Sequence, residues 1–365
     1  MPNRTDESST LLVPLVAGIG NALMTEPMLR QLHCALPNAK IVALAISKPI
    51  AEVVRRIDGI DVRITGSGIK NMLKSARLSR SLKPDVYLVP FPSNRWQYNL
   101  LASLSGAKRV ILHRYPKPAM GLRRFDRLDA VRGLHDVEQN LRLLTMLGIQ
   151  PRFPDPPRFA LTDEEHTQVA GVLEQAGIGS DYVVVHAGSA RTVLAEAKRW
   201  PEASYAKLVE TIRDETGRTV LIVEGPDEAG VADRIVAHIA DRARIVTLPL
   251  RGSLGMSAAI LAKSAFYVGT DSGLAHLAAA VGKRAITLFA PADPDRVCPF
   301  ANRDLVVQPE GLTDLAFLYP WESTRPALRP GRVNDIQRIT VDQVMAKVKM
   351  IGHRDTEKYT REKSK

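Results

Sequence analysis

Four short stretches place polar side chains where an apolar run gives way to a glycine-containing turn. The first is Val268-Gly269-Thr270-Asp271-Ser272-Gly273-Leu274-Ala275-His276-Leu277-Ala278. A strand ending at Gly269, a polar turn and an Ala-rich helix would aim the amides of Ser272, Gly273 and Leu274 outwards. Such a helix start binds phosphate oxygens, and Gly273 lets an anion come close to the backbone. His276, one turn in, could add a hydrogen bond to phosphate. The competing structural reading makes Asp271 or Ser272 a helix cap and His276 a packed helix residue. The second stretch is His186-Ala187-Gly188-Ser189 followed by Lys198-Arg199-Trp200-Pro201. Backbone amides, the Ser189 hydroxyl and Lys198 could neutralise a diphosphate leaving group. The structural alternative is a basic loop with Trp200 as a packing anchor.

The third stretch, Val223-Glu224-Gly225-Pro226-Asp227-Glu228, puts carboxylates at another strand end, where they can accept from ribose hydroxyls. Its acids could equally complement a helix dipole. The fourth, Gly18-Ile19-Gly20-Asn21, is half of a dinucleotide fingerprint, but the third glycine would fall at Leu23. Its glycines imply a tight turn with close approach of ligand or backbone.

These residues need a scaffold of strands ending in loops, and the chain alternates β-branched runs with amphipathic stretches. That pattern predicts parallel sheets covered by helices. In the first half, strands are expected over 11–16, 40–46, 85–89 and 109–112, with helices over 22–36 and 136–147. Pro151, Pro154, Pro156 and Pro157 read as a stiff linker. Thr162 and Glu165 form a capping-box pattern opening a helix over 162–176. Five strands follow, over 182–186, 219–223, 244–247, 265–268 and 284–289. Helices are expected between them over 203–215, 227–240, 254–263 and 272–281. Residues 294–330 are proline-rich, 341–350 a last helix, and 353–365 a charged tail. The predicted division is therefore 1–157, 158–352 and the tail 353–365.

Composition narrows the classes. Apolar residues make up 45% and charged residues 24% of the 365, an ordinary globular balance. Two cysteines, Cys34 and Cys298, give neither a disulfide framework nor metal-ligand spacing. The polar first residues lack a signal-peptide pattern, so a cytoplasmic location is expected. The net charge of +11 is uneven: residues 1–157 carry 23 Lys/Arg against 12 Asp/Glu, whereas 158–365 carry 27 of each. A basic first half suits an anionic partner such as a membrane surface or a phosphorylated glycolipid. No nucleic-acid motif accompanies it, and no nucleic-acid partner is expected.

Taken in order, the motifs resemble family 9 glycosyltransferases, the group that contains the lipopolysaccharide heptosyltransferases. The matching pieces are Gly18-Ile19-Gly20-Asn21 with Pro27, and His135-Asp136-Val137-Glu138-Gln139-Asn140 with Leu147-Gly148. They continue through the His186, Lys198, Gly225 and Asp271 motifs to Phe289-Ala290-Pro291-Ala292-Asp293-Pro294, so the resemblance spans roughly 10–350. It implies a GT-B architecture, α/β, with two Rossmann-like doubly wound domains facing across a cleft. The N-terminal domain would hold a glycan or glycolipid acceptor, and the C-terminal one a nucleotide-diphosphate sugar. The resemblance favours ADP-linked heptose and a lipopolysaccharide-core acceptor, with inversion and no metal or other cofactor. Ser189, Lys198, Asp271, Ser272, Gly273, Leu274 and His276 would surround the diphosphate, and Glu228 would lie near the ribose. Gly18, Gly20 and Asn21 would face the acceptor. The enzyme would work in the cytoplasm, in peripheral contact with the inner face of the cytoplasmic membrane.

One departure stands out. Heptosyltransferases carry an aspartate, taken as the general base, where this chain has Asn21. An amide does not accept a proton at neutral pH. Three readings stay open: another carboxylate (Glu26, Asp136 or Glu138) is the base; the acceptor is ionised or needs little base; or the protein binds without turnover. A sugar-nucleotide epimerase or hydrolase on a related fold is the rival enzyme class. Residues 309–330 also lack cysteines that some relatives carry.

Overall fold

The computed structural model describes residues 9–119, 125–188, 194, 196–312 and 314–363. They form two compact units. One comprises the chain up to Ala160 together with Asp295–Phe300 and Leu318–Ala327; the other comprises Leu161–Pro294, Ala301–Phe317 and the chain from Leu328.

The first unit is built on a six-stranded parallel sheet of β1 (Thr10–Leu15), β2 (Lys40–Ala45), β3 (Ile60–Ile64), β4 (Val86–Leu88), β5 (Arg109–Arg114) and β6 (Asp126–Asp129), in the order β3-β2-β1-β4-β5-β6. Leu11, Leu12 and Val13 of β1 are fully buried, as expected for a strand covered on both faces. They sit in register with Ile41, Val42 and Ala43, and Leu11 and Leu12 also pair with Val86 and Tyr87. Leu12, Val42, Leu44, Tyr87 and Val89 pack with Tyr98 on one side of the sheet.

The second unit repeats the plan with β7 (Tyr182–His186), β8 (Thr219–Glu224), β9 (Ile245–Pro249), β10 (Tyr267–Thr270), β11 (Ala285–Leu288) and β12 (Val306–Val307). Its order is β12-β11-β10-β7-β8-β9. Numbered from its own first strand, each sheet runs 3-2-1-4-5-6, the doubly wound order in which ligands bind where strands 1 and 4 diverge. These are the two Rossmann-like sheets expected from the sequence. The switch points are β1/β4 and β7/β10.

Several elements differ from the sequence expectation. Strand β6, Asp-Arg-Leu-Asp, is an edge strand too polar to read as one, and β12 is only two residues long, so the second sheet has six strands rather than five. The helix expected over 227–240 is a 3-10 turn, Pro226–Glu228, followed by Val231–Val236; Gly230, at φ +86°, breaks the run. Helix Ile19–Ala35 starts three residues early, so the Gly18-Ile19-Gly20-Asn21 turn is its N-terminus, with Gly18 as cap. The last helix runs Val341–Lys363 rather than stopping at Met350. Among the described residues no helix is long and apolar enough to cross a membrane.

Candidate functional site

At the β7/β10 switch point, Gly269 pairs with His186, so the two strands end side by side. The Thr270 hydroxyl donates to the Gly188 carbonyl at 2.8 Å and holds the two exits together. Beyond β10, helix Gly273–Ala280 is capped by Ser272 in extended conformation, with no side-chain cap bond. Its first backbone bond is His276 N–H to the Ser272 carbonyl, at 3.4 Å. The amides of Gly273, Leu274 and Ala275 precede that ladder, as in any helix start. Ser272, Gly273 and Leu274 are half-buried, whereas Ala275 to Ala278 are buried. The polar end therefore faces outwards while the Ala-rich stretch is locked in the core.

Lys198 reaches this end from the second motif. Its Nζ lies 2.5 Å from Asp271 Oδ2 and 3.2 Å from the Asp271 carbonyl. Among the described residues, two of the three ammonium hydrogens go to Asp271, leaving one for a ligand oxygen. His276 is buried, 4.0 Å from Asp271 Oδ1. Burial pushes its imidazole down to about 4; Asp271 opposes the shift and Lys198 adds to it. His276 is thus a neutral imidazole beside this helix start. Trp200 is 3% exposed, donates to the Ile339 carbonyl at 2.9 Å and packs edge-on against Tyr205: it is a packing anchor. Ser189 lies outside the described residues.

Glu228 lies at the same sheet edge. Its Oε2 accepts from His186 Nε2 at 2.7 Å and from the Gly225 amide at 3.0 Å. Burial would raise its carboxyl pKa, but the His186 hydrogen bond, the Gly225 amide and Arg199 outweigh that, and the net shift is downwards. Glu228 is therefore ionised. A Cβ on Gly188 would overlap the Glu228 carboxylate, so glycine is needed here for close approach rather than for its backbone angle. The sequence places His186 at a strand end and Gly188 in the loop after it, and shows nothing of the His186–Glu228 pairing, because the two lie 42 positions apart. Among the described residues no group of three His, Cys, Asp or Glu could hold a metal ion.

The β1/β4 switch point of the first unit carries a pocket lined by Leu15, Ala17, Asn21, Thr25, Phe91 and Tyr98, among others. Gly18 has an ordinary φ of −71°, and a Cβ there would meet no atom within 4 Å. No backbone crowds it, which corrects that half of the sequence reading and leaves open space beside the pocket. Asn140 builds the wall: its Oδ1 accepts from the Phe91 amide at 2.7 Å, and its Nδ2 donates to the Met24 carbonyl at 3.2 Å.

The three candidate carboxylates sit differently. Glu26 is 2% exposed, accepts from Arg30 Nε at 2.7 Å and from the Arg158 amide at 3.0 Å, and does not line the pocket. Burial raises its pKa against the opposing Arg30 and Arg158 bonds. Asp136 is fully buried, 3.1 Å from Arg296 Nε. Glu138 is half-buried, and its Oε2 accepts from the His135 amide at 3.3 Å, closing the capping box of helix Asp136–Arg142. That helix packs against helix Ile19–Ala35, which carries Asn21.

Two buried imidazoles set an acid limit. His113, against the Phe91 ring edge, is pushed down to about 3 by burial, then by Arg142, against its bond to the Gln139 carbonyl. In the unfolded chain both His113 and His276 protonate near the ordinary 6.5. Between 6.5 and about 4 the unfolded chain binds protons that the fold refuses, so stability is full above 6.5 and falls as pH drops through that window. His276 alone should withdraw ~3 kcal/mol. Urea midpoints measured from pH 7.5 to 4.5 should fall, and His113→Gln with His276→Gln should flatten the slope. An unchanged slope would refute the assignment.

The family described as Glycosyltransferase family 9 (heptosyltransferase) matches residues 113–313, more than half of the chain. Lipopolysaccharide heptosyltransferase 3 of Escherichia coli K12 is 26% identical over 290 residues, covering 75% of this chain and 80% of that protein. A family 9 glycosyl transferase from Veillonella parvula superposes with a TM-score of 0.75 at 16% identity, covering 96% of this chain and 99% of the other. The Escherichia coli ADP-heptose lipopolysaccharide heptosyltransferase II gives 0.70 at 20% identity, covering 95% and 99%. The two structural likenesses bear on the fold alone.

Proposed function

The chain belongs to glycosyltransferase family 9, and from that premise we propose that it transfers a heptose from an ADP-linked donor to a lipopolysaccharide-type acceptor, with inversion. The observation that carries this reading is the meeting of Lys198 with the open helix start at Ser272 to Leu274, where β7 and β10 diverge. A leaving diphosphate needs positive charge that is already in place, and an ammonium plus aligned amides supplies it. The acceptor hydroxyl oxygen attacks the anomeric carbon. The bond from that carbon to the β-phosphate oxygen breaks, and ADP departs with the electron pair. Lys198 and the amides of Gly273 and Leu274 bind the diphosphate oxygens, His276 supports them, and Glu228 accepts from a ribose hydroxyl. Ser189, next to Gly188 in the sequence, belongs to this set by the family pattern.

The acceptor proton goes to a carboxylate of the first unit. Among the candidates Glu138 fits best, because Glu26 and Asp136 are buried against arginines. Asn21, Gly18 and Gly20 then line the acceptor side without taking the proton. The basic first half suits an anionic glycolipid surface. Arg114 ends β5, and Arg127 lies in the neighbouring strand β6. Burial, then the Arg114 charge, pushes the Arg127 guanidinium below its usual range. Arg123 and Arg124 lie outside the described residues.

One assay tests the whole reading: transfer from ADP-heptose to a lipopolysaccharide-core acceptor in anionic vesicles, with chelator present, read as product mass. Product should form without added metal. Glu138→Gln, which keeps the cap, should lower kcat about 100-fold, within the range for general-base loss. The double variant Arg114→Ala/Arg127→Ala should be slower at low salt and match wild type at high salt. Donor consumed without any acceptor would instead make the protein an epimerase or hydrolase.

A further inference from the structure

His186 closes β7, after the apolar run Tyr182-Val183-Val184-Val185, and is 2% exposed. A buried imidazole at the end of such a strand is costly unless every polar atom is satisfied. Here both ring nitrogens are. Nε2 meets Glu228 Oε2 at 2.7 Å. Nδ1 meets the Tyr267 hydroxyl at 3.2 Å and Ser272 Oγ at 3.4 Å, and those two hydroxyls are 3.3 Å apart. The ionised Glu228 carboxylate only accepts, so Nε2 carries a proton, and in the neutral imidazole Nδ1 is then the acceptor. Burial pushes the Tyr267 phenol well up, so its hydroxyl keeps its hydrogen and can donate. The result is one directed chain from Glu228 through His186 to the hydroxyls of Tyr267 and Ser272.

We propose that His186 is a positioning residue that couples the ribose end of the donor site to its diphosphate end. The proposal rests on the reading of Glu228 and Ser272 as donor-binding residues. Glu228 fixes the imidazole tautomer, and the tautomer decides which hydroxyl hydrogen is spent inwards and where Ser272 Oγ points at the helix start. Tyr267 shares Nδ1 and keeps Ser272 from rotating away. Occupation of the ribose end thereby prepares the phosphate end, although neither residue touches the other.

The test is a double-mutant cycle on ADP affinity, measured by calorimetric titration of the full-length protein. Glu228→Gln replaces an acceptor-only group by one that also donates, which frees the imidazole tautomer. Ser272→Ala removes the far end of the chain. In the wild-type background the double variant should lose about fivefold less affinity than the product of the two single losses. In a His186→Gln background, which can still reach Glu228 but offers no Nδ1, the losses should multiply to within about twofold. Tyr267→Phe, which keeps the ring, should shrink the coupling in the same direction and serves if His186→Gln does not fold. Losses that multiply already in wild type, or coupling that survives in both backgrounds, overturn the proposal while leaving the donor site standing. Absence of ADP binding, or binding indifferent to Lys198→Ala, overturns the donor-site reading and this proposal with it.

Discussion

Replacing Lys198 by alanine should lower kcat/KM for heptosyl transfer by roughly 10²- to 10³-fold, the loss expected on removing one preorganised charge donor from a leaving-group site. The geometry makes the loss larger for the anion than a missing cation alone. Lys198 and Asp271 are paired at 2.5 Å, with side chains 19% and 10% exposed. Without the ammonium, the Asp271 carboxylate remains at the helix start and repels the incoming diphosphate. The double variant Lys198→Ala/Asp271→Asn should therefore bind ADP more tightly than Lys198→Ala alone. Thermal shifts with ADP, UDP, GDP and CDP provide the check: stabilisation by one nucleotide, absent in Lys198→Ala and partly restored in the double variant. Equal shifts in wild type and Lys198→Ala would remove Lys198 from the site.

Gly188→Ala should be nearly as severe, for a different reason. The added methyl would occupy the volume of the Glu228 carboxylate. Glu228 cannot simply step aside, because its Oε2 is held by both His186 and the Gly225 amide. The Gly188 carbonyl is itself tied to Thr270, so the loop cannot easily retreat. ADP affinity should fall by about tenfold or more, with stability reduced by ~1–3 kcal/mol, the usual cost of forcing one extra methyl into a packed site. Glu228→Ala/Gly188→Ala removes the obstacle but also takes the acceptor from His186 Nε2 and the Gly225 amide, so neither stability nor affinity should recover fully. If Gly188→Ala binds ADP like wild type, Glu228 does not contribute to the donor site as proposed.

What could be read from sequence is what local chemistry dictates. Strand Tyr182–His186 and helix Leu254–Lys263 have the limits their patterning implies, because burial on both faces and a serine cap leave little freedom. Thr162 and Glu165 do form a capping box, and Gly148 does close its helix in the left-handed region. The strand-end motifs at 186, 228 and 271 do converge on one sheet edge, which the alternation of strands and helices already required. What escaped was tertiary. The run over 227–240 keeps a helical composition, but Gly230 breaks it. Asp126–Asp129 pairs with β5 despite its polarity, since an edge strand needs hydrogen bonds more than burial. Gly188 looked like a turn glycine and proved to be a steric allowance for a carboxylate 40 residues away.

The first unit is completed by residues from far down the chain. Asp136 faces Arg296, His135 Nε2 lies 2.8 Å from the Cys298 carbonyl, and Asn94 Nδ2 donates to the Pro320 carbonyl at 2.7 Å. During synthesis, the first 160 residues leave the ribosome well before these contacts can form. A fragment ending at Ala160 would keep all six strands of its sheet yet hold the Asp136 carboxylate without its guanidinium. A missing partner at a buried charge costs several kcal/mol, comparable to the stability of a whole domain. The amino-terminal half expressed alone should therefore be markedly less stable than in the full chain, because its packing is finished only once residues 295–320 are in place.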